Sequence, residues 1–387
     1  MVKLLKKYLS DPFLKRLYSE IRKAGSLRSI SVDITHECNI RCRGCYFFSE
    51  GMEESESPPD ENKFDAFIER ELERGTNFVT VVGGEPSLML GRLKKLHTNF
   101  HINVSTNGLI KIPYEGFESM PIGVSVWGDN QTDRYMRGGG NVDTFAIALK
   151  NYKDDPRAFW YYTVAPGRKN EIERVVEKCI NNGNQVLFNF YGDLLGFGGE
   201  LDSGSGFDEV RIEIDRMISL YPDKMFMSSY LSKIVSTGTL YGLKWGHEVC
   251  TSLSANHEAN FERLKNGNPY NPHFRAYNAD LESTRRCCTG INRSCHTCFD
   301  VWEHFSWVIL NMKKHIGSKQ EFSNWLTTMY LFYLINRLVN FDEGIKLLPE
   351  IHKRLGNTTK RESHNIDRIK ISAFATVESG LMEITDP

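Results

Sequence analysis

Apolar residues in the first half of the chain follow two different periods. Short runs rich in Val, Ile, Phe and Tyr predict strands, whereas segments between them carry apolar residues at helical spacing. Six strands are predicted, at residues 30–34, 78–82, 101–105, 122–127, 159–164 and 185–190, with helices at 62–74, after Ser87, at 142–152 and at 171–181. This alternation predicts an α/β fold with a parallel sheet, either an open barrel or a doubly wound sheet. Loops that follow parallel strands gather at one end of the sheet.

The N-terminal 25 residues have an amphipathic pattern. The apolar residues that recur every four positions, as on one face of a single helix, are Leu5, Leu9, Phe13, Leu17 and Ile21. This helix is interpreted as packing on the domain. Because its remaining face is basic, binding to a membrane surface is the alternative.

The second half of the chain has a different organisation. A Gly/Ser-rich stretch at residues 196–206 marks the end of the alternating part, and helical patterns and a polar, cysteine-containing loop follow. The apolar segment at 325–338 contains Asn336 and Arg337 and is too short to span a bilayer, so it predicts a core helix. The predicted regions are an N-terminal helix at 1–25, a barrel at 26–200, a cysteine-containing region at 201–310 and a C-terminal helical region at 311–387.

Composition limits the possible partners and compartment. The 387 residues include 48 Lys and Arg against 49 Asp and Glu, and this balance argues against nucleic acid as a partner. Basic residues interrupt the N-terminus throughout, so it is not a secretion signal. The nine cysteines fall into two groups with Cys179 alone between them. This pattern predicts metal ligation in the reducing cytoplasm rather than disulfides, with Cys179 as a core residue.

The first cysteine group directly follows the first predicted strand. Cys38, Cys42 and Cys45 have C-x3-C-x2-C spacing, and three thiolates on one loop select iron–sulfur, zinc or copper(I). A closed zinc site or a conventional cluster would need a fourth protein ligand nearby, but the next cysteine is Cys179. An incomplete ligand set leaves one metal position open to a substrate or cofactor.

The motif Cys38-x3-Cys42-x2-Cys45-Tyr46 resembles the cysteine loop of the radical S-adenosylmethionine (SAM) superfamily. The resemblance implies a partial (β/α)6 TIM-like barrel with a [4Fe-4S] cluster at its mouth, whose fourth iron chelates SAM. It also implies that the backbone of Tyr46 contacts adenine.

Gly83-Gly84-Glu85-Pro86, after the second strand, is similar to the GGEP segment that contacts the SAM amino group in that family. The residue types suit this role, because glycines allow close approach of a ligand and a carboxylate accepts from an ammonium group. An ordinary turn is the alternative.

Two later strand ends carry further similarity. Ser105 and Asn107 belong to an STNG segment, and Ser125 and Arg137 match positions expected to meet the SAM carboxylate. Trp127 stands where the family commonly has an acidic residue. Short polar side chains at strand ends suit ribose hydroxyls and carboxylates, although Asn-Gly also forms turns without any ligand.

The second cysteine group comprises Cys250, Cys287, Cys288, Cys295 and Cys298. Four thiolates with one C-x2-C turn suit zinc or an auxiliary [4Fe-4S] cluster. The region is similar to SPASM and Twitch extensions of radical SAM enzymes, which implies iron, but the usual SPASM C-x2-C-x5-C is absent. The spare thiol is Cys287 or Cys288, either simply packed or returning a hydrogen atom to a substrate radical.

The family resemblance implies an enzyme that cleaves SAM reductively to a 5′-deoxyadenosyl radical, which abstracts hydrogen from a substrate C–H bond. The net reaction would be an oxidation, an epimerisation or a bond formation aided by the auxiliary cluster. A small metabolite or sugar is the first substrate class. A peptide, as in a maturase, is second, because too few residues precede the first strand for a winged-helix peptide-recognition domain. A lipid is third. A flavodoxin or ferredoxin would supply electrons. The alternative from another class is a non-catalytic zinc-binding module.

Overall fold

The computed structural model describes residues 2–58, 60–192, 206–290 and 295–355, so nearly all of the predicted 196–206 break lies outside the described residues. The helices are α1 Val2–Tyr8, α2 Pro12–Ala24, α3 Tyr46–Ser49, α4 Glu61–Glu73, α5 Leu90–Asn99, α6 Asn130–Met136, α7 Thr144–Asn151, α8 Ile172–Asn181, α9 Asp208–Leu220, α10 Ser229–Thr237, α11 Phe261–Leu264, α12 Val301–Leu310, α13 Lys319–Ile335, α14 Phe341–Ile345 and α15 Leu348–Leu355.

The strands confirm the predicted α/β fold. They are β1 Ser29–Asp33, β2 Phe78–Val82, β3 His101–Thr106, β4 Ile122–Val126, β5 Ala158–Val164, β6 Gln185–Phe190, β7 Thr239–Leu240, β8 Leu243–Lys244, β9 Ala276–Tyr277 and β10 Thr284–Arg285. Strands β1 to β6 pair in chain order and all in parallel, as in a partial (β/α)6 barrel. Their carboxyl ends, and the loops that follow them, therefore lie at one end of the sheet.

A short hairpin extends the sheet beyond the predicted six strands. β9 runs parallel to β1, with Ser31 opposite Ala276, and β10 runs antiparallel to β9. Arg285 on β10 forms a buried ion pair with Asp33 on β1, with nitrogen–oxygen distances of 2.6 and 3.0 Å. The hairpin thus attaches the segment that contains Cys287 to the strand that precedes the first cysteine loop.

The barrel interior is filled partly by α12 from the C-terminal region. The Trp302 ring lies 6.2 Å from the ring of Tyr161 on β5 and 5.8 Å from that of Phe332 on α13. The backbone N–H of Val301 donates to Asn189 Oδ1 on β6 at 2.9 Å. These contacts fix the first turn of α12 against the middle of β5 and the carboxyl end of β6.

The N-terminal prediction of one continuous helix is wrong, because α1 ends at Tyr8 and α2 starts at Pro12. The Asp11 carboxylate accepts from the backbone N–H groups of Phe13 and Leu14, and proline is favoured in the first turn, so a new helix begins here. The apolar face of α2 packs against α13, where Tyr330 donates to Glu20 at 2.6 Å. Packing on the domain, the preferred interpretation, is what the structure shows.

The predicted core helix near 325–338 is confirmed as α13, whose residues are mostly buried. Among the described helices, none is long and apolar enough to cross a membrane.

Candidate functional site

A cavity of about 230 Å³ lies at the carboxyl ends of the parallel strands. Cys38, Cys42 and Cys45 line it together. The residues that the family resemblance assigned to SAM binding line it as well: Tyr46, Gly83, Gly84, Glu85, Ser105, Asn107, Ser125 and Arg137. The fold therefore brings every residue of that group to one space, while their roles stay predictions.

The two glycines after β2 are required by the cysteine loop itself. Backbone N–H groups of Gly84 and Glu85 donate to the carbonyl oxygens of Thr35 and Glu37 at 2.9 and 2.8 Å. A Cβ on Gly84 would lie 1.8 Å from the Glu37 oxygen, and Gly83 has a φ of +113°. Side chains at these positions would push the loop away, so the glycines serve loop packing before any ligand is considered.

The Glu85 carboxylate joins the end of β2 to the end of β3. It is 1% exposed and accepts from Thr106 Oγ1 at 2.6 Å and from the Asn107 N–H at 2.8 Å. Asn107 in turn donates through its side chain to Asn39 Oδ1 at 2.7 Å, within the cysteine loop. Glu85 thus positions the neighbouring strand end and, through it, the loop.

Arg137 is buried beside the cysteine loop. Its guanidinium donates to the carbonyl oxygens of Asn107 at 2.9 Å and Ser125 at 2.5 Å, and pairs with Asp133 at 3.1 Å. Burial raises the pKa of Cys42 to about 12, and the positive charge of Arg137 opposes that rise. Arg137 therefore favours the thiolate form of Cys42, the form that binds metal.

Some lining residues were missed by the sequence analysis. Thr163 and Asn189, at the ends of β5 and β6, and Asp300, ahead of α12, also line the barrel cavity. Asp300 accepts from the Tyr161 hydroxyl at 3.1 Å and caps α12 through the Trp302 N–H at 2.9 Å. The strand-end rule used for β3 and β4 would have found the first two, whereas no local signal identifies Asp300.

The second cysteine group encloses a smaller cavity of about 20 Å³. All five cysteines line it: Cys250, Cys287, Cys288, Cys295 and Cys298. Cys298 and Thr289 line the barrel cavity as well, so they separate the two spaces. Cys287 and Cys288, the candidates for a hydrogen donor, are not among the residues around the barrel cavity, and that role stays a prediction.

Glu303, in the first turn of α12, projects into the second cysteine group. It is 5% exposed, and its Oε1 accepts a hydrogen bond from Cys288 Sγ at 2.8 Å. Burial, with the nearby Asp300 carboxylate, raises the pKa of Glu303 to about 8. Trp245 Nε1, which is also buried at this cavity, has no hydrogen-bond partner among the described residues. The sequence analysis did not single out either residue.

Comparison with known proteins finds no matching family model and no matching curated protein. Similar solved structures include SuiB of Streptococcus suis, at 12% identity and a TM-score of 0.41, covering 58% of this chain and 57% of that one. SuiB bound to S-adenosylmethionine matches at 14% identity and a TM-score of 0.40, covering 54% and 51%. The anSMEcpe enzyme with bound AdoMet and Cp18Cys peptide matches at 13% identity and a TM-score of 0.47, covering 86% and 99%.

The solved structures that this chain resembles are radical SAM enzymes. The chain spans little more than half of the SuiB chains, at 57% and 51%. With identities of 12–14% and TM-scores of 0.40–0.47, a functional assignment has to come from the site itself.

The barrel cavity fits the cluster of a radical SAM enzyme in its donor chemistry. Three thiols on one anchored loop border a space of about 230 Å³, and the buried Arg137 acts to lower the pKa of one of them, Cys42. Cys38, Cys42 and Cys45 are the residues that would hold the iron, although among the described residues these three thiols are not grouped as a bound metal ion requires.

The second cysteine group fits a thiolate-bound metal in its donors but not in its present volume. A space of about 20 Å³ holds roughly one water-sized sphere, which is smaller than an eight-atom iron–sulfur core. The thiols would have to move apart to admit a cluster. In the described part of the chain, no three His, Cys, Asp or Glu side chains are grouped so that they could hold a metal ion.

Proposed function

We propose that this protein is a radical SAM enzyme. The observation that carries the proposal is the shared cavity: the three loop thiols and the glycine-rich end of β2 border one space at the carboxyl end of a parallel sheet. That edge is where parallel α/β folds place their ligands.

A [4Fe-4S] cluster and SAM, when bound, supply a 5′-deoxyadenosyl radical by reductive cleavage, and this radical abstracts hydrogen from a substrate C–H bond. The residues of the protein hold and orient these two groups. Cys38, Cys42 and Cys45 bind the iron, and Arg137 supports the thiolate form of Cys42. Glu85 keeps the end of β3 against the cysteine loop, so that Ser105 and Asn107 face the same space.

The second cysteine group is proposed to bind an auxiliary iron–sulfur cluster. Because Cys298 borders both cavities, a group held there would lie next to the barrel cavity. This proximity supports a net oxidation or bond formation in which the auxiliary site takes part, with epimerisation as the other reaction type. Oxidoreductase chemistry with electrons from a flavodoxin or ferredoxin completes the proposal.

The substrate is proposed to be a small polar metabolite or a sugar. The walls beyond the cysteine loop carry a hydroxyl group from Thr163, an amide group from Asn189 and the Asp300 carboxylate. Groups of this kind form hydrogen bonds with hydroxylated or charged molecules. The aromatic rings of Phe190, Tyr191 and Phe299, which line the same cavity, would pack against the carbon framework of such a molecule.

Metal analysis and SAM cleavage test the proposal directly. Protein purified without oxygen is expected to contain iron and sulfide, about four irons per chain for the first site and about eight if both sites hold [4Fe-4S] clusters. With dithionite and SAM it should release 5′-deoxyadenosine. Cys42→Ala should abolish this release, whereas Cys179→Ala, which changes a buried thiol on α8 outside both cavities, should retain it.

Two outcomes would contradict the enzyme proposal. A colourless protein that contains zinc and no iron would instead support a zinc-binding module. A reconstituted protein with full iron content that forms no 5′-deoxyadenosine would exclude the radical reaction.

A further inference from the structure

The first cysteine loop exposes two arginines outside the barrel cavity. Ile40, Cys42 and Gly44 line that cavity, whereas Arg41 and Arg43, which alternate with them along the chain, do not line it and are exposed. The loop is a single chain segment thick at this point. A molecule seated on its outer face would therefore be separated from the thiols only by the loop itself.

Each of the two arginines is held against an aromatic ring. Arg41 Cζ lies 3.5 Å from the centroid of the Phe48 ring, and Arg43 Cζ lies 4.0 Å from that of the Tyr135 ring on α6. Arg43 Nη1 also donates to the Tyr135 hydroxyl at 2.6 Å. Stacking on a ring fixes a guanidinium without neutralising it, so both positive charges stay available to a partner. These four residues form what we call the arginine patch.

Neither arginine of the patch has a carboxylate partner in the described part of the chain. The contrast on α6 is direct, because Arg134, next to Tyr135, pairs with Asp143 at 2.8 Å. Acidic residues are concentrated further along the chain, at residues 50–56. The surface near the loop is therefore divided, with uncompensated positive charge beside the cysteines and negative charge beyond Phe48.

We propose that the arginine patch is the docking surface for an acidic one-electron carrier protein, which reduces the group held by Cys38, Cys42 and Cys45. The inference rests on the proposed function and adds to it the place where the electron enters. One electron leaves the carrier, which is oxidised, and reduces the group on the three thiols. No covalent bond forms or breaks in this step.

The residue types of the patch fit a short-lived complex of this kind. Arginine and tyrosine are enriched at protein interfaces, and two uncompensated positive charges attract an acidic surface. Electron-transfer complexes bury little surface, so a patch of four residues can form the centre of one. The alternative is that the arginine charges only offset the negative charge of metal-bound thiolates, without contact with a partner.

Binding of flavodoxin, used as the probe, is the first test. The anaerobically reconstituted full-length chain and its Arg41→Gln/Arg43→Gln variant are compared by surface plasmon resonance at low ionic strength. The dissociation constant should rise about tenfold in the variant, and wild-type binding should weaken as salt is added. Lys3→Gln/Lys15→Gln is the matched control, because it removes the same charge from exposed positions on α1 and α2 and should bind as the wild type does.

Release of 5′-deoxyadenosine with two different reductants is the second test. With reduced flavodoxin at low concentration, release by the arginine variant should fall about tenfold. Dithionite is a small reductant that needs no docking surface, so with it both the release and the iron content of the variant should match the wild type. Dithionite-driven release by the wild type tests the proposed function alone, whereas the ratio of the two rates tests the docking surface.

Glu54→Gln tests the sign of the charge. Glu54 is exposed on the acidic side of Phe48, so its neutralisation should leave flavodoxin binding unchanged or strengthen it. Weaker binding in this variant, or an equal loss in the lysine control, would overturn the proposal. So would equal flavodoxin affinity in the wild type and the arginine variant. An equal loss of iron and of both rates in the arginine variant would assign the two charges to the thiolates alone.

Discussion

The buried ion pair between Asp33 and Arg285 attaches the C-terminal hairpin to β1, and its two partners should respond differently to pH. They are 1% and 7% exposed, with contacts of 2.6 and 3.0 Å. Burial raises the pKa of Asp33 to about 6, although Arg285 acts in the opposite direction. When its partner is removed, the carboxyl can take up a proton, whereas the guanidinium stays charged.

Arg285→Met should therefore lower the free energy of unfolding by less at low pH than at pH 7. Without the arginine the pKa of Asp33 rises further, and we expect the carboxyl to take up a proton at pH 7. Protonating a group whose wild-type pKa is about 6 costs about 1.4 kcal/mol at that pH. Below pH 6 the carboxyl is protonated in the folded wild type as well, and this part of the deficit disappears. The lost hydrogen bonds to the Tyr277 and Cys288 carbonyls add roughly 1 kcal/mol each at every pH.

Asp33→Asn should show the opposite pH dependence. At pH 7 its cost should be small, roughly 1 kcal/mol for a weakened hydrogen bond to Arg285, because a folded-state pKa raised to about 6 means that the fold already favours a neutral group at this position. A folded-state pKa of about 6, above the ordinary 3.8, means that the wild type gains stability as the pH falls below 6, by about 1.4 kcal/mol at pH 5. The variant has no such group, so its deficit relative to wild type grows as the pH falls.

Urea unfolding of the metal-free protein at pH 7 and pH 5 measures both effects. Lys63→Met is the matched control, because Lys63 joins α4 to the same hairpin through Glu282 at 3.8 Å, with side chains 60% and 72% exposed. Its effect should stay within about 0.5 kcal/mol at both pH values. Parallel pH dependences for Asp33→Asn and Arg285→Met would refute the reasoning.

Three further changes test the barrel and the N-terminus. Gly84→Ala should reduce the iron bound at the first site, because the added Cβ meets the Glu37 backbone. Gly91→Ala is the control and should keep its iron, because no atom lies within 4 Å of the added Cβ. Equal iron contents in the two variants would contradict this prediction. Arg137→Met leaves the buried Asp133 carboxylate without its counter-charge and should lower the free energy of unfolding by about 3–5 kcal/mol. Urea unfolding measures this loss, and a loss below about 1 kcal/mol would show that the ion pair contributes little to stability. Burial acts to raise the pKa of Asp11, but hydrogen bonds from Lys319 and Arg354 outweigh it and lower the pKa to about 2. Asp11→Asn should therefore cost about 1 kcal/mol at pH 6, after allowance for solvent screening, and this cost should disappear as the pH falls from 4 to 2; a constant cost would exclude the linkage.

The first cysteine group was predictable because its determinants are local. Cys38, Cys42 and Cys45 lie within one loop, and the strand before them fixes the end of the sheet to which they belong. Parallel pairing then brings Gly84 and Ser105 to the same edge without any further information.

The second group was predictable only as a set of residues. Its cysteines are brought together by β9 and β10, two-residue strands too short to give a periodic signal, and by an ion pair whose partners are 252 residues apart. In the sequence, Glu303 is indistinguishable from any acidic residue in the first turn of a helix. The contact of Glu303 with Cys288 depends on where α12 enters the barrel, and no local sequence pattern predicts that position.

The entry of α12 into the barrel makes one packing residue important for metal binding. Trp302 contacts Tyr161 and Phe332, and the residues that flank it along the chain, Cys298 and Glu303, border the second cavity. Trp302→Ala should cost roughly 3 kcal/mol and let the first turn of α12 shift.

Iron at the second site should therefore fall in Trp302→Ala while iron at the first site is retained, because the 38–45 loop is held by contacts to Glu85 and Asn107 instead. Trp325→Ala is the matched control, since Trp325 packs on Phe322 and donates to the Ile309 carbonyl at 2.8 Å, at the other end of α12. It should cost similar stability and leave both metal contents unchanged. Equal loss of second-site iron in the two variants would mean that global stability, and not the position of α12, controls the second site.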